Sequence, residues 1–91
     1  MVAQDLAVRR PSAKLLRILA DNVRSLRADR GWSQEQLAEA CGLHRTFIGS
    51  IERKERNASL STLEMLASGF QLTISDLLIE RAPIQELPPA P

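Results

Sequence analysis

The 91-residue chain has no tyrosine, one cysteine, one histidine, one tryptophan and two phenylalanines. A single cysteine excludes an internal disulfide and a multi-cysteine zinc site. So few rings leave no platform on which single-stranded bases could stack. One histidine, one cysteine and no tyrosine provide few groups for acid–base or nucleophilic chemistry, and the carboxylates are scattered along helical faces. No enzymatic role is expected. There is no glycine-rich phosphate loop and no cluster of metal ligands, so neither metal, cofactor nor small-molecule ligand is expected. No apolar run reaches the roughly 18 residues of a membrane span, and the N-terminus lacks an apolar signal core. The expected location is the cytoplasm, with no membrane partner.

What the chain does contain is aliphatic. Its hydrophobic fraction of 44% is ordinary for a globular protein, and its length allows one small domain. The net charge of +1 conceals a segregation. From Arg9 to Arg56 there are eleven basic and six acidic residues. From Asn57 onward only Arg81 is basic, against Glu64, Asp76, Glu80 and Glu86. A basic half and an acidic half suit a chain with one nucleic-acid face and another face for a different partner.

The apolar residues recur with helical period throughout, and no strand pattern or internal repeat occurs. Residues 1–11 show no period and are expected to form a mobile arm. Ser12 can cap a helix of about 17 residues whose stripe is Leu16, Leu19, Val23 and Leu26, with Arg17, Arg24 and Arg27 outside it and Gly31 at its end. Ser33 and Gln36 have the spacing of a capping box, which opens a second helix with Leu37, Ala38 and Cys41 inward. Gly42 breaks that helix, Leu43 points back to the core, and His44 stands at the cap of a third helix with Phe47, Ile48 and Ile51 inward. Ser59 caps a fourth helix with Leu60, Leu63, Leu66 and Ala67 inward, closed by Gly69. Thr73 caps a fifth, to about Glu80. Residues 81–91 are rich in proline and are expected to be a disordered tail. The domain therefore runs over residues 12–80 and is all-α with five helices.

The second and third helices carry the functional signal. A helix with Arg45, Thr46 and Ser50 outward, held up by an apolar partner helix, is suited to enter a DNA major groove. An arginine near the start of such a helix can donate two parallel hydrogen bonds to guanine, and threonine offers a hydroxyl and a methyl to base edges. Gly49 invites either close approach to DNA or tight packing against Ala38. Ser33, Gln34 and the free N–H groups of the second helix can hold a phosphate. Arg53, Lys54, Arg56 and Asn57 follow the third helix as candidates for the sugar-phosphate backbone, and His44 is a further phosphate candidate. Glu52 is expected to pair with a nearby arginine. Trp32 is expected to pack at the start of the second helix.

These residues carry a family resemblance. The segment from Leu15 to Leu78, and SQEQLAEACGL above all, resembles the Cro/C1-type (XRE-like) helix-turn-helix domain of bacterial and phage transcription regulators. The run RTFIGSIERKERNASLSTLEMLA is similar to the controller proteins of restriction–modification systems, in which an Arg-Thr pair opens the recognition helix and an Ile-Glu-Arg run closes it. His44 departs from the serine or aspartate usual at that cap. The resemblance implies a lambda-repressor-like fold and a homodimer on a pseudo-palindromic double-stranded DNA operator, with RNA polymerase as a further partner. It also places Gln34 on a phosphate and Ser50 at a base-reading position. The apolar surplus of Phe70, Ile74, Leu77 and Leu78 is the expected dimer face. Two other readings use the same fold: an antitoxin that also binds a toxin protein, and a protein-interaction module without DNA.

Overall fold

The computed structural model describes residues 10–81. Of the arm expected over residues 1–11 and the tail expected over residues 81–91, residues 1–9 and 82–91 lie outside the described residues. Among the described residues five helices follow one another: α1 Ala13–Asp29, α2 Gln34–Cys41, α3 Arg45–Glu52, α4 Leu60–Phe70 and α5 Ile74–Leu77. Each begins where a side chain accepts from a backbone N–H that has no partner within the helix. Ser12, Ser33, His44, Ser59 and Thr73 are the five caps. Ser33 with Gln36, and Thr73 with Asp76, close reciprocal capping boxes. The Asp76 carboxyl is held below its ordinary pKa by hydrogen bonds from the Thr73 backbone and hydroxyl.

The first four helices end in one shared device, a left-handed residue whose turn returns two N–H groups to the last carbonyls. Behind α1 stands Gly31 with φ 66°, and Trp32 N–H reaches the Arg27 carbonyl at 3.0 Å. Behind α2 stands Gly42 with φ 72°, and Leu43 N–H reaches Ala38 at 2.9 Å. Behind α3 and α4 the left-handed position falls to Lys54 (φ 64°) and Gln71 (φ 61°), with Glu55 N–H on Ser50 at 2.9 Å and Leu72 N–H on Ala67 at 2.8 Å. A side chain in this region costs about 1–2 kcal/mol, so two of the four turns are held by their surroundings and not by glycine.

The core gathers Leu19, Val23 and Leu26 of α1, Leu37, Ala38 and Cys41 of α2, Ile48 and Ile51 of α3, Leu63, Leu66, Ala67 and Phe70 of α4, and Leu77 of α5. Helix α2 packs on α3 and α4, while α1 packs on α3 and α5. Burial pushes the Cys41 thiol up to about 11, so it stays protonated at neutral pH. Trp32 is half-buried and stacks on Phe70, with ring centroids 5.9 Å apart and planes at 15°. The Arg30 guanidinium lies 5.0 Å from the Phe70 ring centre and donates to the Phe70 carbonyl at 2.6 Å.

Three expectations from the sequence change. Leu60, expected inward, is 75% exposed at the start of α4. Gly69 does not close α4, which continues to Phe70. Gly69 is instead where α4 lies against α2. A Cβ there would meet the Cys41 sulfur, and would sit 3.0 Å from Cys41 Cα and 3.1 Å from the Ala40 carbonyl carbon. Helix α5 stops at Leu77, short of Glu80. The buried Asn22 amide donates to the Leu77 carbonyl at 2.7 Å and the Ile79 carbonyl at 2.8 Å, and so satisfies the chain as it leaves the helix.

Opposite responses are expected at neighbouring positions on α4. Gly69→Ala presses on α2 backbone that cannot yield and should lower the unfolding free energy by about 1–3 kcal/mol despite a better helix propensity. Gln71→Gly should raise it by about 1 kcal/mol. Urea denaturation followed by circular dichroism reads both. A neutral Gly69→Ala would show that α2 and α4 are not in close contact.

Candidate nucleic-acid interface

Three residues, from Gly42 to His44, separate α2 from α3. The left-handed turn at Gly42 sends the half-buried Leu43 back against the core. His44 Nδ1 then accepts from Thr46 N–H at 3.1 Å. That bond needs an unprotonated Nδ1, so the neutral ring carries its proton on Nε2 and offers a donor from an exposed position. Histidine therefore does the capping work that the sequence alone left between cap, phosphate contact and bare surface. Arg45 and Thr46, in the first turn of α3, are both exposed.

The opposite side of α3 is fixed. Ile48 and Ile51 are buried, and the Glu52 side chain is only 5% exposed. Arg27 of α1 grips this carboxylate in a fork, Nε to Oε2 at 2.8 Å and Nη2 to Oε1 at 3.0 Å, and its Nη1 donates to the Trp32 carbonyl at 2.9 Å. Gln34 of α2 donates through Nε2 to Glu52 Oε1 at 3.0 Å. Arg24 Nη1 donates to the Glu52 carbonyl at 3.2 Å, a cation at the negative end of α3. The hydrogen bond to Glu52 raises the Arg27 pKa, against the opposing effect of burial. One carboxylate thus joins α1, α2 and α3. The pairing expected for Glu52 is present.

Around this anchor the candidate contacts fall into place unevenly. Ser33 and Gln34 stand at the N-terminus of α2, where the Ser33 hydroxyl accepts from Gln36 N–H at 3.0 Å. Gly49 is buried, and its neighbour is not Ala38. A Cβ at this position would lie 3.0 Å from Arg53 Nη1 and 3.6 Å from Gln34 Oε1, so glycine makes room for both polar chains. Ser50 is 7% exposed and is not free on the outer face. Its hydroxyl donates to the Phe47 carbonyl at 2.8 Å and accepts from Arg56 Nε at 3.0 Å. The Arg56 guanidinium lies 4.6 Å from the centre of the Phe47 ring. Arg53, Lys54, Arg56 and Asn57 are exposed beyond α3, with Arg53 paired to Glu55 at 3.1 Å.

The expected dimer face divides. Phe70 and Leu77 are 0% exposed and belong to the core of this chain, so they have no surface to offer a second copy. Ile74 and Leu78 are half-buried. Phe70 closes α4 and Leu77 closes α5, and both complete the core. Arg24 and Arg27 are positioning residues that the periodicity left on the outside of α1. The available signal was an acidic residue directly after Ile51 in an apolar run, which needs a cation beneath it.

Removing the cation should be severe. Arg27→Ala leaves Glu52 buried without its partner and should lower the unfolding free energy by about 3–5 kcal/mol. Arg27→Met combined with Glu52→Leu should recover much of that loss, since a well-packed apolar pair replaces a buried ion pair. Urea titration of both variants tests this. A double variant no better than the single would mean that the lost packing of the Arg27 stem, and not the stranded charge, sets the cost.

Comparison with known proteins agrees with this architecture. The helix-turn-helix family model HTH_3 matches residues 23–77. The control protein C.SmaI of Serratia marcescens is 61% identical over 61 residues, which cover 67% of this chain and 73% of that protein. The crystal structure of a hypothetical transcription factor from Neisseria has a TM-score of 0.69 at 40% identity, covering 87% of this chain and 88% of that one. The restriction–modification controller protein C.AhdI from Aeromonas hydrophila has a TM-score of 0.65 at 37% identity, covering 68% of this chain and 94% of that one. The chain belongs to the XRE-type helix-turn-helix family of transcriptional regulators and lies close to the restriction–modification controller proteins.

Proposed function

We propose that the protein binds a pseudo-palindromic double-stranded DNA operator as a homodimer and acts as the controller of a restriction–modification system. The observation that carries this reading is the exposed first turn of α3, with Arg45 and Thr46 outward while Glu52, Ile48 and Ile51 fix the opposite side. Arg45 and Thr46 read base edges in the major groove. The N-terminus of α2 with Ser33 and Gln34, together with His44, Arg53, Lys54, Arg56 and Asn57, holds the phosphates on either side. Gly49 keeps the space in which Gln34 and Arg53 lie. RNA polymerase is the further partner that a promoter-bound controller implies, and the similarity to C.SmaI supports the controller assignment.

The second copy meets this one through the surface-exposed part of the α5 region. Ile74 and Leu78 are half-buried there, and Ile79, which follows them, is 47% exposed. Two recognition helices then enter successive major grooves about one helical turn apart.

Duplexes selected from a random pool test the base-reading claim. Arg45→Ala should weaken binding to the selected duplex far more than binding to unrelated DNA, by about 1–3 kcal/mol of lost discrimination. Affinity of the unaltered protein should fall steeply with salt. Equal losses on both duplexes would remove Arg45 from base reading, and a flat salt dependence would remove the phosphate contacts. For the dimer, Ile79→Asp changes an exposed side chain and leaves the core intact. Sedimentation should show a monomer; an undisturbed dimer would place the interface elsewhere.

A further inference from the structure

The contacts of Ser50, Phe47 and Arg56 form a unit that the DNA-binding reading alone does not explain. Arg56 belongs to the loop after α3, where a basic side chain would ordinarily sample many rotamers in water. Here its guanidinium lies 4.6 Å from the centre of the Phe47 ring, within range of a cation–π contact. Its Nε donates to the Ser50 hydroxyl at 3.0 Å. That hydroxyl is itself oriented, because it donates its own proton to the Phe47 carbonyl at 2.8 Å. Ser50 is 7% exposed and Phe47 is half-buried, so both grips belong to the rigid body of α3. Between them they fix the plane of the guanidinium and use one of its five N–H groups, leaving the terminal Nη1 and Nη2 donors for a ligand.

We propose that Ser50 and Phe47 are positioning residues that hold Arg56 in its DNA-contacting pose before DNA arrives. The inference rests on the DNA-binding reading above and reassigns Ser50, which serves DNA through Arg56 and not by touching a base. The ordering of a long side chain is completed on folding, so association does not have to supply it. Phe47 contributes the ring face and Ser50 the acceptor. Lysine could not replace the arginine, since it has neither the Nε–H nor the flat cation that stacks on a ring.

Two measurements test the clamp. In the DNA-free protein, the Arg56 Nε–H resonance should be resolved and slow to exchange, and Ser50→Ala should return it to the rapid exchange of a solvated arginine. A rapidly exchanging Nε–H in the unaltered protein would overturn the proposal without reference to DNA. On a duplex selected from a random pool, Ser50→Ala should weaken binding about 2- to 12-fold, the effect of ordering one side chain. It should have no further effect once Arg56 is replaced, in either Arg56→Ala or Arg56→Lys. Phe47→Leu, which keeps the apolar bulk, should behave as Ser50→Ala does. Losses from Ser50→Ala and Arg56→Ala that multiply in the double variant would overturn the proposal, because Ser50 would then act on DNA by itself. A protein that prefers no duplex from the pool, yet shows the protected Nε–H, would refute the DNA-binding reading and with it the clamp's role toward DNA.

Discussion

A buried carboxylate is the constraint on which this domain depends. Glu52 closes α3 at the point where α1 and α2 converge, and it is taken out of water almost completely. Such a group is tolerable only with a charge partner and further hydrogen bonds. Arg27 supplies the fork and Gln34 the additional donor, while Arg24 caps the backbone of the same residue. The three contacts come from two different helices, so satisfying Glu52 sets the angle at which α3 leaves the core. Apolar packing by Ile48 and Ile51 would tolerate some sliding or rotation, whereas a bidentate ion pair does not. The outward placement of Arg45 and Thr46 follows from this anchoring.

The same network couples binding groups to the fold. Gln34 carries one of the proposed phosphate contacts, yet one of its amide protons is already committed to Glu52. The side chain is therefore held at the N-terminus of α2 and is not free to wander. Gly49 serves this arrangement by leaving space over α3 where Gln34 and Arg53 lie. Asn22 has a comparable role toward α5, holding the exit of the chain through two carbonyls. Polar groups along α1, namely Asn22, Arg24 and Arg27, thus tie down both α3 and the C-terminal segment. The aliphatic core supplies the bulk of the cohesion.

Much of this was legible in the residues, and the parts that were not have identifiable physical causes. Helix starts were readable because Ser12, Ser33, Ser59 and Thr73 are residues whose side chains prefer to cap, and all four do. Helix ends were readable at Gly31 and Gly42, where glycine marks the left-handed turn, and unreadable at Lys54 and Gln71, where the same turn is imposed on ordinary residues. Gly69 misled for the complementary reason: its missing side chain serves helix packing, not backbone conformation. Within the site, Arg45 and Thr46 were correctly placed at the exposed start of α3, and Glu52 at an ion pair. Ser50 reads as outward because helical periodicity treats a small polar residue as surface; its hydroxyl is instead engaged by Arg56, a loop residue whose position no periodicity predicts. Phe70 and Leu77 read as surplus apolar surface because the sequence does not show how completely the end of α4 and the short α5 are absorbed into the core.

The central claim is that DNA meets the face built from the N-termini of α2 and α3 and the loop after α3. It is tested most directly by following backbone amide resonances while a selected duplex is added to the isotope-labelled protein. The account predicts the largest changes at Ser33 and Gln34, at His44 to Thr46, and from Arg53 to Asn57, with α4 little affected. Changes centred on α4 and α5, with Arg45 and Thr46 unmoved, would contradict it.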